Sequence, residues 1–169
     1  MISVLIETQN SEDDLPRTLA SLISGAVEGV VRDVIVCDAG STDHTHKVAD
    51  VAGCTFLTGG INAGVAQAKS DWLLVLEPGS MLVDGWMEAV TRHCAKATIA
   101  ARLRRSRSVR TPFLGRILGS KSNLAEGLLI RKSQALALSR DGRNAEGLGR
   151  GVAARQIEAE IVPADSKKR

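Results

Sequence analysis

WLLVLEPGS, residues 72–80, is the stretch on which the fold turns. Its first five residues are all apolar and leave no polar face. A strand of this kind is buried on both sides, as in a parallel sheet covered by helices. It ends on one carboxylate, Glu77, and turns at Pro78-Gly79. In an open parallel sheet, ligands bind in the crevice beyond the carboxyl ends of the strands, so the polar residues after this strand are candidates for a site.

Upstream, residues 2–6 (ISVLI), 33–37 (DVIVC) and 54–57 read as further strands. Leu15, Leu19, Leu22 and Ile23 recur at helical spacing. Asp13 and Asp14 favour the positive helix start, Pro16 suits the first turn and Gly25 the stop. Ser41, Thr42 or Asp43 can cap a helix running through Val48 and Val51 to Gly53. Another helix is predicted over 62–69, and a further one, capped by Asp84, carries Trp86, Met87 and Val90. Strands and helices alternate over the first ~95 residues, as in a sheet with helices on both faces.

Downstream the pattern weakens. Residues 102–110 predict a basic loop and 112–118 a short amphipathic helix. A strand is expected at 127–130, short helices at 133–138 and 144–155, a last strand at 157–162 and a frayed tail at 165–169.

At 169 residues the chain is long enough for one domain with a real core. Trp72, Trp86, Phe56 and Phe113 are its only aromatic residues, which argues against a site built from stacked rings. No apolar run reaches the roughly 18–20 residues of a membrane span, and no secretory signal is expected. Cys37, Cys54 and Cys94 lack zinc-ligand spacing and are expected to be buried free thiols in a reducing cytoplasm.

The net charge of +3 conceals an asymmetry. Residues 1–88 carry thirteen acids and four bases, whereas residues 89–125 carry nine bases and no acid. Such a chain combines a part that positions a site with a part that meets an anion.

The strand ends hold the candidate site residues: Glu7-Thr8-Gln9-Asn10, Asp38-Ala39-Gly40-Ser41 and Glu77-Pro78-Gly79-Ser80, joined by Asn62-Ala63-Gly64. Asp38 has two readings. It can accept hydrogen bonds from a base or ribose, or it can form a turn by bonding its own backbone. Asp43 and Asn62 read as helix caps, and Glu7 as a solvated loop acid.

ISVLIETQN, VIVCDAGSTDHT, NAGVAQAKSDWLLVLEPGS and DGWMEAV together resemble the N-terminal half of family 2 glycosyltransferases, over roughly residues 1–95. A weaker echo runs through EGLLIRK at residues 126–132. The resemblance implies a GT-A fold: a three-layer α/β/α sandwich with a mostly parallel sheet. It implies a single domain over residues 1–169, with a nucleotide-binding half, 1–95, and a short acceptor-side half, 96–169, bearing the basic loop. It implies transfer of a sugar from a nucleotide-diphosphate sugar to an acceptor, in the cytoplasm or peripherally on the inner face of the membrane. Thr8, Asn10, Asp38, Gly40, Asn62 and Gly64 would then face the nucleotide. Glu77 would open the Asp-x-Asp motif that holds magnesium or manganese.

This chain departs from the family at several of those positions. It has Glu7 where Pro is usual, Gln9 where an aromatic is usual and Ile61 where Arg is frequent. Gly79 replaces the last acid of the metal motif. Glu126 and Glu146 are the candidates for the general base.

With one motif carboxylate, the diphosphate would be neutralised by guanidinium groups, for which Arg104, Arg105 and Arg107 are the candidates. Two other readings follow from the same residues. One is a relative without turnover that binds a nucleotide or a partner. The other is a contact with anionic lipid through Phe113, Leu114, Ile117 and Leu118 beside Arg110 and Arg116. Without aromatics among the arginines, stacking on nucleic acid is not expected.

Overall fold

The computed structural model describes residues 1–106, 122–139 and 144–164. The first half runs β1 (Ile2–Thr8), α1 (Leu15–Ala20), α2 (Ile23–Val27), β2 (Val31–Asp38), α3 (Thr45–Val51), β3 (Thr55–Thr58), α4 (Gly60–Gln67) and β4 (Trp72–Leu76). The second half adds β5 (Met81–Leu82), α5 (Trp86–Lys96), β6 (Ala100–Arg105), β7 (Leu128–Arg131), α6 (Lys132–Ser139), α7 (Ala145–Arg150) and β8 (Ala154–Val162). All eight strands join one sheet in the order β3-β2-β1-β4-β7-β6-β8-β5. β1 pairs in parallel with β2 and β4, and β2 with β3. Beyond β4 the sheet is mixed: β4–β7, β6–β7 and β5–β8 are antiparallel, while β6–β8 is parallel.

β4 is buried along its whole length. Its side chains alternate between two cores, as a period of two requires. Trp72, Leu74 and Leu76 pack with Leu15, Ala49, Trp86 and Val90 on the face covered by α1, α3 and α5. Leu73 and Val75 pack with Ile61, Val65, Ala135 and Leu148 on the face covered by α4, α6 and α7. Full burial of each such aliphatic side chain stabilises the fold by about 1.5–3 kcal/mol. The three-layer α/β/α arrangement follows from these two faces.

Four local expectations are corrected. Gly25 does not end a helix; it lies inside α2, where a Cβ would stand 2.6 Å from Trp86 Cζ2. That glycine permits close packing, and the left-handed residue after α2 is Gly29, with φ +72°. Asp84 makes no capping bond, because α5 begins from Gly85 in the left-handed conformation. The predicted basic loop is a strand as far as Arg105: Ala101 and Leu103 point into the core, so a period-two pattern lay beneath the arginines. The expected helix over 144–155 stops at Arg150, with Gly151 as its C-cap, and β8 takes over at Ala154. The remainder of the basic segment, the expected helix at 112–118 and the tail lie outside the described residues. Among the described residues no helix is long and apolar enough to cross a membrane.

α4 sits on the sheet through Gly64, where a Cβ would fall 2.2 Å from Cys37 Sγ and 3.4 Å from Leu5 Cδ2. Gly64→Ala is therefore expected to destabilise the protein by roughly 1–3 kcal/mol through overpacking. Adding Cys37→Ala removes the obstructing sulfur and should recover most of that loss. Urea unfolding of the single and double variants reads both effects.

Candidate functional site

The parallel pairings bring the carboxyl ends of β1, β2, β3 and β4 to one edge of the sheet. β7 opposes β4 and β6 opposes β7, so β6 also points to that edge. A crevice of about 520 Å³ opens there, lined by Glu7, Asp38, Gly40, Thr58, Asn62 and Asn144 among others. Asp38 ends β2 and Glu77 follows β4, with β1 between them. Neighbouring strands lie about 4.8 Å apart, so these two strand ends stand roughly 10 Å from each other.

Asp38 is buried, and both its oxygens are engaged. Oδ1 accepts from Thr8 Oγ1 at 3.1 Å and from Ser41 Oγ; Oδ2 accepts from the backbone N–H groups of Gly40 (3.0 Å) and Ser41 (2.8 Å). Burial raises its pKa, but the bonds from Ser41, Gly40 and Thr8 outweigh this and hold the carboxyl below the usual range. A carboxylate has about four acceptor positions, and here the protein fills that number. Asp38 thus forms the turn, as one of its sequence readings had it, and it also borders the crevice that this turn shapes.

Thr8 is buried as a donor to Asp38. Asn10, with φ +51°, holds the facing loop: its Oδ1 accepts from Thr42 N at 2.8 Å, and its own N–H donates to Ser41 Oγ. Gly40, with φ +100°, supplies a conformation that L side chains rarely adopt. Asp43 lies one residue before His44, the N-cap of α3, and its Oδ1 accepts from Thr45 N at 3.0 Å.

Asn62 differs from these residues. The residue lines the crevice, while its Oδ1 is buried and has no hydrogen-bond partner among the described residues. Gly64, two residues on, faces Cys37 beneath the crevice and not its opening. Burial, helped by the nearby Glu7 charge, pushes the Cys37 thiol up to about 12, so it is no nucleophile at neutral pH.

Glu7 is not a solvated acid. Oε1 accepts from Ile61 N at 3.1 Å, and Oε2 accepts from Ala145 N at 2.9 Å. One carboxylate therefore serves the first turns of α4 and α7. Sequence reading missed both this role and Asn144. The available signal was an acid at a strand end together with an Asn-Ala-Glu-Gly helix start, because carboxylates favour the positive ends of helices.

Glu77 lies beside Glu7, since Leu76 pairs with Ile6. Its Oε1 accepts from Ser122 Oγ. The turn that follows has Pro78 second and Gly79 third, with φ +90° at Gly79, the geometry of a type II turn, which requires glycine there. Thr18 pins this turn, its Oγ1 accepting from Gly79 N at 2.9 Å. A Cβ on Gly79 would meet Ala164 Cβ at 3.2 Å and Asp14 Cβ at 3.5 Å. Among the described residues no three His, Cys, Asp or Glu side chains group to hold a metal ion. The residues present do not fit a two-carboxylate metal site.

Arg104 and Arg105 end β6 at the same edge, and both are exposed. Arg105 Nε lies 3.5 Å from Glu126 Oε1. Glu146 accepts from Arg150 at 3.0 Å and from Asn123 Nδ2 at 3.4 Å. Both candidate bases are thus paired with arginine on the second-half rim. Arg107 lies outside the described residues.

Residues 3–115, more than half the chain, match the model of glycosyl transferase family 2. A TPR repeat-containing protein of Synechococcus elongatus is 32% identical over 96 residues, covering 52% of this chain and 23% of that protein. The chain thus spans less than a quarter of that relative's length. Glucosyl-3-phosphoglycerate synthase from Mycobacterium tuberculosis shares the fold over 100% of this chain and 73% of its own. The TM-score is 0.63 at 16% identity for its complex with Mn2+, uridine diphosphate and glucosyl-3-phosphoglycerate, and 0.65 at 17% for its complex with phosphoglyceric acid. The mixed α/β sheet, the ligand edge and the matched sequence agree: the chain belongs to glycosyl transferase family 2 and has its GT-A fold.

Proposed function

We propose that this chain transfers a sugar from a nucleotide-diphosphate sugar to an acceptor, and that the crevice holds the nucleoside part of the donor. The observation that carries this reading is Asn62, a crevice-lining residue whose buried Oδ1 has no hydrogen-bond partner among the described residues. Such an atom costs about 1–3 kcal/mol unless something donates to it, and a base N–H or a ribose hydroxyl would do so once the Asn62 side chain turns toward the crevice. Asp38 and Gly40 shape the adjoining wall, Thr8 and Asn10 fix the loop, and Gly64 lets α4 approach the sheet.

The leaving diphosphate needs compensating charge. Divalent metals serve the family, and the Mycobacterium tuberculosis synthase is held with Mn2+ or Mg2+ and uridine diphosphate. Glu77 here has no second motif acid, so we assign the compensation to Arg104 and Arg105, with Arg107 as a third candidate. Of the two candidate bases, Glu146 is favoured, because it lies two residues from crevice-lining Asn144. Gly79 also supports a second reading, in which the nucleotide binds without turnover.

Calorimetry against nucleoside diphosphates, with uridine diphosphate first, with and without Mn2+, tests the site. Asn62→Ala should weaken binding roughly tenfold or more while leaving unliganded stability equal or higher, since an unpaired buried acceptor is removed. Silence across the panel would sink the reading. A release assay on the matching nucleotide sugar separates transfer from binding without turnover. The double variant Arg104→Ala/Arg105→Ala should weaken diphosphate binding without changing nucleoside binding, with an effect that shrinks as salt rises.

Gly79→Asp should lower the melting temperature, because the left-handed backbone at this position costs a non-glycine residue about 1–2 kcal/mol. It should bring no Mn2+-dependent gain in affinity for uridine diphosphate. A clear gain would show that the metal motif can be completed on this turn.

A further inference from the structure

We infer that Glu7 is a positioning residue that, with Arg102, holds α7 in place as the second-half wall of the crevice. α7 is a poor helix by itself. Its six residues, AEGLGR, include two glycines, and so short a helix gains little from its own hydrogen bonds. What fixes it comes from elsewhere in the chain.

At its N-terminal end, Ala145 N donates to Glu7 Oε2 at 2.9 Å, across 138 positions of sequence. Asn144 Oδ1 takes a further amide of the first turn, Gly147 N, at 2.9 Å. Near its other end, Gly149 O accepts from Arg102 Nη2 at 2.5 Å, and the second arm of the same guanidinium reaches Asn123 O. A carboxylate at the positive end and a guanidinium at the negative end both match the helix dipole. Gly149 completes the seat: a Cβ there would stand 3.1 Å from Asn123 Cβ and 3.2 Å from Asn123 O.

Glu7 lies one residue before the end of β1, a strand inside the sheet, and its other oxygen receives Ile61 N at the start of α4. One side chain therefore refers both α4 and α7 to the sheet. Asn144 reaches the crevice because of this clamp. Glu146 is then tied through Asn123 to the turn whose Ser122 bonds Glu77. The inference concerns the wall itself and holds whichever ligand the crevice takes.

Nuclear magnetic resonance of the full chain without ligand tests it. The Ile61 and Ala145 amide protons should be shifted downfield by their carboxylate acceptor. Glu7→Gln keeps the size but leaves one acceptor oxygen, so at least one of these resonances should move upfield. Loss of a charge-assisted bond should speed hydrogen exchange over 145–150 roughly 10- to 100-fold, with β4 amides unchanged. Arg102→Lys, approaching from the other end, should speed the same helix and leave the Ile61 resonance in place. Unchanged resonances and exchange in Glu7→Gln would overturn the inference, as would equal acceleration in β4, which would mean general loosening. Because no nucleotide is added, a negative result here is distinct from a failure of the donor reading.

Discussion

The crevice depends on the burial of β1 and β4 on both faces. A strand with apolar neighbours above and below has little place for a charged side chain along its length, so such groups collect at its ends. Parallel pairing of β1 with β2 and β4 then gathers three of those ends on one edge. Glu7, Asp38 and Glu77 thereby become neighbours although they are distant in sequence. The apolar cores on either side supply the stability; the ends supply the chemistry.

Within that edge, hydrogen bonding separates groups that build the site from a group left without a partner. Asp38 is saturated by Thr8, Gly40 and Ser41, and Asn10 is committed to Thr42. These residues hold a loop in one shape and keep a negative charge at the wall. Asn62 Oδ1 is a buried acceptor with no partner among the described residues. Proximity to a crevice does not distinguish these roles; the count of satisfied acceptor positions does.

The end of that edge at Glu77 is built on a different logic. The type II turn at Pro78-Gly79 fits against Thr18, Asp14 and Ala164, and this packing takes the space where a second metal-binding acid would stand. Glu7 meanwhile spends its two oxygens on helix starts, so neither of the neighbouring glutamates is a bare ligand. Charge compensation at this edge consequently points toward the arginines that end β6. The same basic residues divide by depth: Arg102, half-buried, grips backbone carbonyls, whereas Arg104 and Arg105 are exposed.

Much of the fold was legible in the sequence, because period and polarity are local. The continuous apolar run at β4 announced a strand buried on both faces, and DVIVCDAGSTD announced a strand, a turn and a helix start. The family motifs located Asp38, Asn62 and Glu77 at strand or helix ends. The arginines over 102–105 hid a strand, because charge density masked the alternation of Ala101 and Leu103 with their neighbours. Gly25 and Gly64 show the same limit: sequence gives a glycine but not the Trp86 ring or Cys37 sulfur that requires it. Above all, Glu7 reads as an ordinary acid until its two partners, 54 and 138 residues away, are brought to it. Sequence by itself determined which segments are strands and helices, because backbone preference and hydrophobic period act over a few residues. Only the tertiary structure decided which polar atoms are spent and which stay open, because hydrogen-bond satisfaction is set by groups that folding alone brings within 3 Å.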